Sequence, residues 1–407
     1  AYPCMTVIYR NTAGLEDYWS YTSMPAGRGG NLSVNNYNGN LVATHPLLGI
    51  DGTLMPVDIK LTYNSVYGNI APGKSYAGLG WLLNYDISVS YSGNTASLGY
   101  DYFYTDSDGT KHYFHKQSDG SRKDEDGLGL SLVVSSDTGY TITDKSGISL
   151  IFNTSGWLTK IKNPNGNSVN IARDSSNRIS AITDGADRTY YVSYTGNKIS
   201  QIVSPDGKST SFSYSDENLV KINYYNNSEF LGATVFTYLH GYLYQTKTIQ
   251  SDGTTFNNEY VTATHSDIGK VINLKYEKAH NVSWAINQRY DFTYNYNETA
   301  VVDNQNRKVI HQFDTFGHET GVVDFTDFNA THGIFETTNT VDGKVNSSAN
   351  KIKTESTNQK SNTNYLFNTA FDGNAAYWTY CYDGNNANNH IGILEGIADD
   401  IAQKLTK

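Results

Sequence analysis

The chain has 407 residues, with 30 Lys and Arg against 40 Asp and Glu, a net charge of −10 and a pI near 5.4. That balance, with no clustered run of basic residues, excludes a nucleic-acid surface, and no apolar stretch approaches the ~20 residues of a membrane-spanning helix. Charged residues make up only 17%, aromatics reach 13%, and the chain holds 33 Tyr and 36 Gly, the profile of an all-β protein made of strands and turns.

Two cysteines are present, Cys4 and Cys381. A disulfide between them and a pair of buried thiols both remain open. Low charge, many Tyr, Asn, Thr, Ser and Gly, and almost no Cys fit a secreted bacterial protein. The opening "AYPC", without Met, reads as a processed or excised fragment.

In chain order, residues 1–20 read as a tail strand of an upstream β-domain, and 21–100 as an opening β-segment. Residues 101–325 read as a repeat sheet, 326–365 as a polar linker, and 366–407 as the start of another module or a docking tail. The repeat sheet opens with "DYFYTDSDGTKHYFH", a hairpin. Its His112 and His115 are three apart, so a strand sends them to opposite faces and they do not share a metal. "TDSDG" and "KDEDG" fit Asp-Gly turns. The oxygen ligands of a calcium loop stop after Asp106 and Asp108, where Lys111 and Tyr113 follow, so at most a weak surface Ca²⁺ is expected and no other cofactor.

Farther on, aliphatic pairs recur: Leu158 with Ile161, Ile179 with Ile182, Ile199 with Ile202, and Leu219 with Ile222. The spacing is about twenty residues. A turn precedes each pair, at Gly156, Asn177, Gly196–Asn197 and Glu217–Asn218, where Gly and Asn tolerate the positive φ of two-residue hairpin turns. A second turn follows in "NPNG", "TDG" and "SPDG". Between turns the residues alternate, with Phe212 and Tyr214, or Tyr190, Val192 and Tyr194, on one face. Each repeat is a β-hairpin too small to bury its own apolar face, so successive hairpins share one coiled antiparallel sheet. "FDTFGHETGVVD" restores the register late, with Phe313 and Val322 at the offsets of Phe152 and Ile161.

This unit resembles the YD repeat of RHS-type proteins, and "QFDTFGHETGVVD" resembles it most closely. "GLEDYWSYTSMPAGRGGNLSVNNYNGNLVATHP", "MPVDIKLTYNS" and "GLGWLLNYD" resemble the opening of secreted, wall-associated RHS proteins of Gram-positive bacteria. Individual repeats have drifted from Tyr-Asp to Phe152-Asn153, Ala172-Arg173 and Tyr214-Ser215. The stretch from Asn350 to Tyr380 resembles the junction into a carbohydrate-binding β-sandwich. The resemblance implies a spiralling sheet that winds into a hollow shell, extracellular, not itself an enzyme, and associated with a toxin or the cell wall.

The end of the chain places Ile393, Leu394, Ile397, Ile401 and Leu405 at helical spacing, so a short C-terminal helix is expected. Catalytic motifs are weak. "GHETG" holds His318 and Glu319 without the second His of a zinc protease, "PAGRGGN" lacks the Lys-Ser/Thr of a phosphate loop, and Cys381 beside His390 lacks the context of a nucleophile. The expected role is a non-enzymatic surface scaffold for display, adhesion or toxin carriage, with self-association through edge strands as one consequence. A rival reading binds cell-wall glycan through exposed aromatics, best placed at Tyr377, Trp378 and Tyr380 with Asp383 and Asn385. A glycosidase or lyase on a β-solenoid is the third.

Overall fold

A computed structural model describes residues 13–67, 76–93, 99–250, 258–280, 283–314, 317–325, 332–341 and 344–354. Among them the regular structure is β throughout, apart from one 3₁₀ turn at Ser65–Tyr67. Five strands form an antiparallel meander: β1 (Tyr21–Pro25), β2 (Asn31–Asn35), β3 (Leu41–Gly49), β4 (Asp58–Asn64) and β5 (Trp81–Leu83). The remaining twenty-four strands, from β6 (Ser88–Tyr91) to β29 (Lys344–Thr354), form a second sheet in which each pairs antiparallel with its predecessor.

No ladder among the described residues joins β6 to β29, so this sheet is an open coil. Its start nevertheless meets a later strand. Ser88 bridges to Trp157, Val89 donates its amide to Gly156 at 2.8 Å, and Leu158 donates to Ile87 at 3.2 Å. The coil has returned to its own beginning by β13 (Leu158–Lys162). The second sheet begins at Ser88, inside the stretch read as opening segment. Residues read as a polar linker contribute β28 (His332–Val341) and β29, paired over ten registered positions. Backbone pairing at a sheet edge does not require apolar side chains.

The turns explain the spacing. In several of them an Asp or Asn opens a five-residue loop and its Oδ1 accepts the amides two and four residues on. Asp174 takes Ser176 and Arg178 at 2.9 and 3.0 Å, Asp184 takes Ala186 and Arg188 at 2.8 and 3.0 Å, and Asp303 takes Gln305 and Arg307 at 2.8 and 2.9 Å. Asp144 and Asn153 do the same. The fourth residue carries the positive φ: Gly147, Gly156, Asn177, Asp187 and Asn306. A short polar side chain substitutes for backbone partners and Gly, Asn or Asp supplies the left-handed residue, which makes the turn readable from sequence. Gly156 and Asn177 therefore sit in five-residue loops, while Gly196–Asn197 and Asp216–Glu217 form the two-residue turns.

Burial separates the two sheets. Repeat strands alternate, as in β16 (Thr189–Thr195), where Tyr190 and Val192 are buried and Tyr191 and Ser193 exposed. One face meets solvent. In the meander, consecutive residues are buried: Leu61 to Asn64 on β4 and Leu32 to Asn35 on β2. Burial on both faces means the meander lies inside the coil. Met24, Leu41, Ile59 and Trp81 join Phe152, Ile182, Ile202 and Leu219 in one apolar cluster. The inner face of the described repeats is filled by the opening segment and is not hollow there.

Candidate functional site

Among the described residues, the seam between meander and repeats is built from one irregularity. Opposite Phe152, Tyr194, Tyr214, Tyr238 and His265 the ladder slips by one residue. Each bulge releases the amide of the first aliphatic residue of the next strand from the sheet. Four of those amides find acceptors on the opening segment, Leu158 on Ile87 as above. Ile199 donates to the carbonyl of Tyr76 at 2.9 Å, Leu243 to the Tyr63 hydroxyl at 2.9 Å, and Val271 to the carbonyl of Gly39 at 3.0 Å. Leu79 returns the bond by donating to Glu217 at 3.0 Å.

Aromatic hydroxyls complete the seam. Tyr194, Tyr238 and Tyr294 donate to the carbonyls of Ile179, Leu219 and Val271 at 2.9, 2.8 and 2.7 Å, tying each hairpin to an earlier one. Arg173 does this in the first of these repeats: its Nε reaches the carbonyl of Leu158 at 3.1 Å and its guanidinium pairs with Asp86 at 3.0 Å. Arg173, not Ala172, thus holds the place of Tyr194 and Tyr238 in this seam. Trp81 donates from Nε1 to the Tyr238 hydroxyl at 2.8 Å. A shallow depression lined by Tyr76, Ala77, Trp81, Ile179, Tyr194 and Ile199 opens on this seam, with Asp86, already paired to Arg173, as its carboxylate.

A second cluster lies where the chain enters. Asp106 on the turn after β7 (Tyr100–Thr105) accepts the amides of Asp108, Gly109 and Thr110 through Oδ1. Asp108 holds the Leu15 amide at 2.7 Å and Thr110 at 2.7 Å. Glu16 is fixed by donating its amide to the Tyr21 hydroxyl at 2.9 Å. His112, on β8 (Lys111–Lys116), points inward at 1% exposure between three carboxylates. Its Nδ1 lies 2.8 Å from Asp126, and its Nε2 3.4 Å from Glu16 and 3.5 Å from Asp106. Burial pulls the imidazole down, but its contacts with Asp106, Asp126 and Glu16 outweigh that and push it up to about 12. Desolvation first, then repulsion from Asp106, push Asp108 up to about 7. Asp106 Oδ1 and both Asp108 oxygens thus accept hydrogen bonds from the chain.

His115 faces the other way from His112 and packs on Tyr100. Of the expected repeat-core residues, Phe152, Leu158, Ile179, Ile182, Ile199, Ile202, Phe212, Leu219, Ile222 and Phe313 are buried, while Ile161, Tyr194, Tyr214 and Val322 are half-buried. His318 lies beside Asp314 at 2.9 Å in a turn, and Glu319 pairs with His311 at 2.6 Å. Cys4, Cys381, Tyr377, Trp378, Tyr380, Asp383, Asn385, His390 and the expected C-terminal helix lie outside the described residues. Sequence reading missed Glu16 and Asp126 as neighbours of His112, because only the folded entry segment brings Glu16 there.

Neither a family model nor a curated protein matches the chain. Among solved structures, a TcdB2–TccC3–Cdc42 complex aligns at 10% identity over 82% of this chain and 20% of that one, with a TM-score of 0.30. The Photorhabdus luminescens Tc holotoxin pore aligns at 10% identity over 86% and 22%, with a TM-score of 0.24. A porin-like protein from Bacteroides uniformis aligns at 11% identity over 77% and 94%, with a TM-score of 0.15. The chain spans about a fifth of the first two. At such scores the likeness constrains neither fold nor function. Among the described residues no helix is long and apolar enough to cross a membrane.

Proposed function

We propose that the chain is a non-enzymatic structural scaffold of RHS/YD-repeat type, acting outside the bacterial cell in surface display, adhesion or toxin carriage. One observation carries the reading: main-chain bonds join the opening segment to successive repeats at Leu158, Ile199, Glu217 and Val271. Such bonds are indifferent to side-chain identity, so the framework persists while repeats drift. They fix a rigid body rather than a cleft. The repeat tyrosines support this reading too, since Tyr194, Tyr238 and Tyr294 spend their hydroxyls on neighbouring carbonyls rather than presenting them outward. The low-charge, Tyr- and Asn-rich composition supports the extracellular setting.

The test is a panel of polysaccharide substrates together with a glycan array and peptidoglycan pull-down, run on the intact chain and on Trp378→Ala. A scaffold gives neither turnover nor retention. Retention abolished in Trp378→Ala replaces the scaffold with a glycan-binding protein, and turnover of any polysaccharide replaces it with an enzyme.

A further inference from the structure

We propose that Glu16, Asp106 and His112 bind one divalent transition-metal ion of the zinc class, with Asp126 as the carboxylate behind the histidine. The two sides of the imidazole differ in spacing. Nδ1 sits against Asp126 at 2.8 Å, an ordinary charge-assisted contact. Nε2 faces Glu16 Oε1 at 3.4 Å and Asp106 Oδ2 at 3.5 Å, too long for such contacts and one acceptor more than a single N–H serves well. For metal–ligand distances of about 2.0–2.1 Å, the edge of a coordination tetrahedron is about 3.3–3.4 Å. The Nε2 side is spaced as two such edges, and the three ligand atoms all lie within 4.8 Å of one another.

The surroundings match the demands of such a site. A carboxylate on Nδ1 fixes the tautomer that presents the Nε2 lone pair, the usual support of a metal-bound imidazole. Side-chain exposures of 2% for His112 and 10% for Glu16 keep the centre from bulk water, which strengthens charge pairing. Three carboxylates around one imidazole leave a negative centre that a dication compensates better than a proton. The donor set decides the class of ion: one nitrogen and two oxygens suit zinc, whereas calcium takes about six to eight oxygens, three to four times the two that converge here. Glu16 comes from the entry segment and the other ligands from the β7–β8 hairpin, so the ion would clamp the start of the described chain to the repeats.

The test titrates EDTA-stripped, dialysed chain with ZnCl₂ by calorimetry near neutral pH and repeats the titration on Glu16→Gln, His112→Gln and Asp126→Asn. One ion per chain is expected, with affinity at least tenfold weaker in the first two and about 10–100-fold weaker in Asp126→Asn. Cobalt(II) in place of zinc is expected to give the intense visible band of a four-coordinate centre, lost in Glu16→Gln. Circular dichroism in EDTA establishes that each variant is folded, and if His112→Gln is not, Glu16→Gln decides alone. No stoichiometric binding, or binding unchanged in Glu16→Gln, overturns the proposal and leaves an imidazolium held by carboxylates.

Discussion

Ile199 and Ile202 lie three positions apart on one strand, β17 (Lys198–Val203), yet both face the core, at 1% and 0% exposure. A regular strand would send them to opposite faces. The slip between Ser193 and Tyr194 leaves Ser200 as the extra residue and restores the parity. Ile199→Ala and Ile202→Ala should therefore each cost about 2–5 kcal/mol, the range for emptying a buried aliphatic site, while Gln201→Ala, exposed between them, should stay within about 0.5 kcal/mol. Urea unfolding of the three variants checks this. A small effect at either isoleucine would mean a regular strand.

That relationship also marks what the sequence discloses. The aliphatic pairs at about twenty-residue intervals, the Gly and Asn turns between strands and the period-2 faces of Tyr190 to Tyr194 are local, and each mapped onto a hairpin. The bulge is not local, because a spacing of three is equally compatible with one buried and one exposed residue until the partner strand is known. Nor did any pattern announce that the meander sits inside the coil. Leu61 to Asn64 mixes apolar with polar residues, and only the two-sided burial of β4 reveals it. Glu16 beside His112 is a contact across ninety-odd residues, and no spacing rule reaches so far.

Tyr63 is fully buried, and its hydroxyl accepts the amide of Leu243 across the seam. Tyr63→Phe keeps the ring against Trp81 but strands that amide in an apolar setting. The expected loss is about 1–3 kcal/mol, the cost of an unsatisfied buried donor. It should appear as a lower urea midpoint with unchanged slope, since the surface exposed on unfolding is the same.

Asp184 unites three roles at one turn. Its Oδ1 caps two amides, its Oδ2 pairs with Arg188 at 2.7 Å, and Arg188 in turn donates to the carbonyls of Ile50 and Asp51 on the meander side. Burial would raise this carboxyl, but the bonds from Arg188 and Ala186 hold it below the usual range. Asp184→Ala should cost about 2–4 kcal/mol, since hydrogen bonds to a charged group are lost and two amides are stranded. Asp184→Asn keeps the cap and loses the ion pair, so it should fall between. Equal losses in the two variants would show that the cap contributes nothing.

Two buried histidines should each lower stability as pH falls from 7 to 5, while Asp108, whose raised carboxyl takes up its proton in that window only when folded, acts in the opposite direction. His45 on β3 is 3% exposed and faces Tyr224, Phe236 and Arg28, with its Nε2 against the Tyr224 hydroxyl. Burial, helped by Arg28, pulls it down to about 3, and burial pulls His265 down to about 4. Both are neutral when folded and titrate near 6.5 when unfolded, so below that pH the unfolded chain binds more protons and stability falls. Between about pH 7 and pH 5 each histidine should remove about 1–2 kcal/mol. Asp174, Asp184, Asp206 and Asp303, whose pKa values are lowered, lose their contribution only below the ordinary carboxylate value. Relative to the unsubstituted chain, His45→Gln should gain about 1–2 kcal/mol between pH 7 and pH 5, and an unchanged difference across that window in urea titrations would show that His45 does not contribute to the acid response.

Two glycines separate the cost of a turn from the cost of the seam. Gly156 and Gly166 hold the same fourth position of the repeat turn, at φ of +82° and +90°. A side chain at either must adopt the left-handed conformation, a strain of about 1–2 kcal/mol. At Gly166 nothing lies within 4 Å of the added carbon, so Gly166→Ala should cost that strain and little else. At Gly156 the same carbon would lie 2.1 Å from the carbonyl oxygen of Val89, the residue whose amide bonds Gly156 at 2.8 Å. Relief requires pulling β6 away from Trp157 and opening the first closure of the coil. Gly156→Ala should thus be destabilising by several kcal/mol more than Gly166→Ala, and hydrogen exchange should show the amides of Val89 and Leu158 losing protection in the first variant only. Similar losses in both would mean that the coil does not close on its own start at β6.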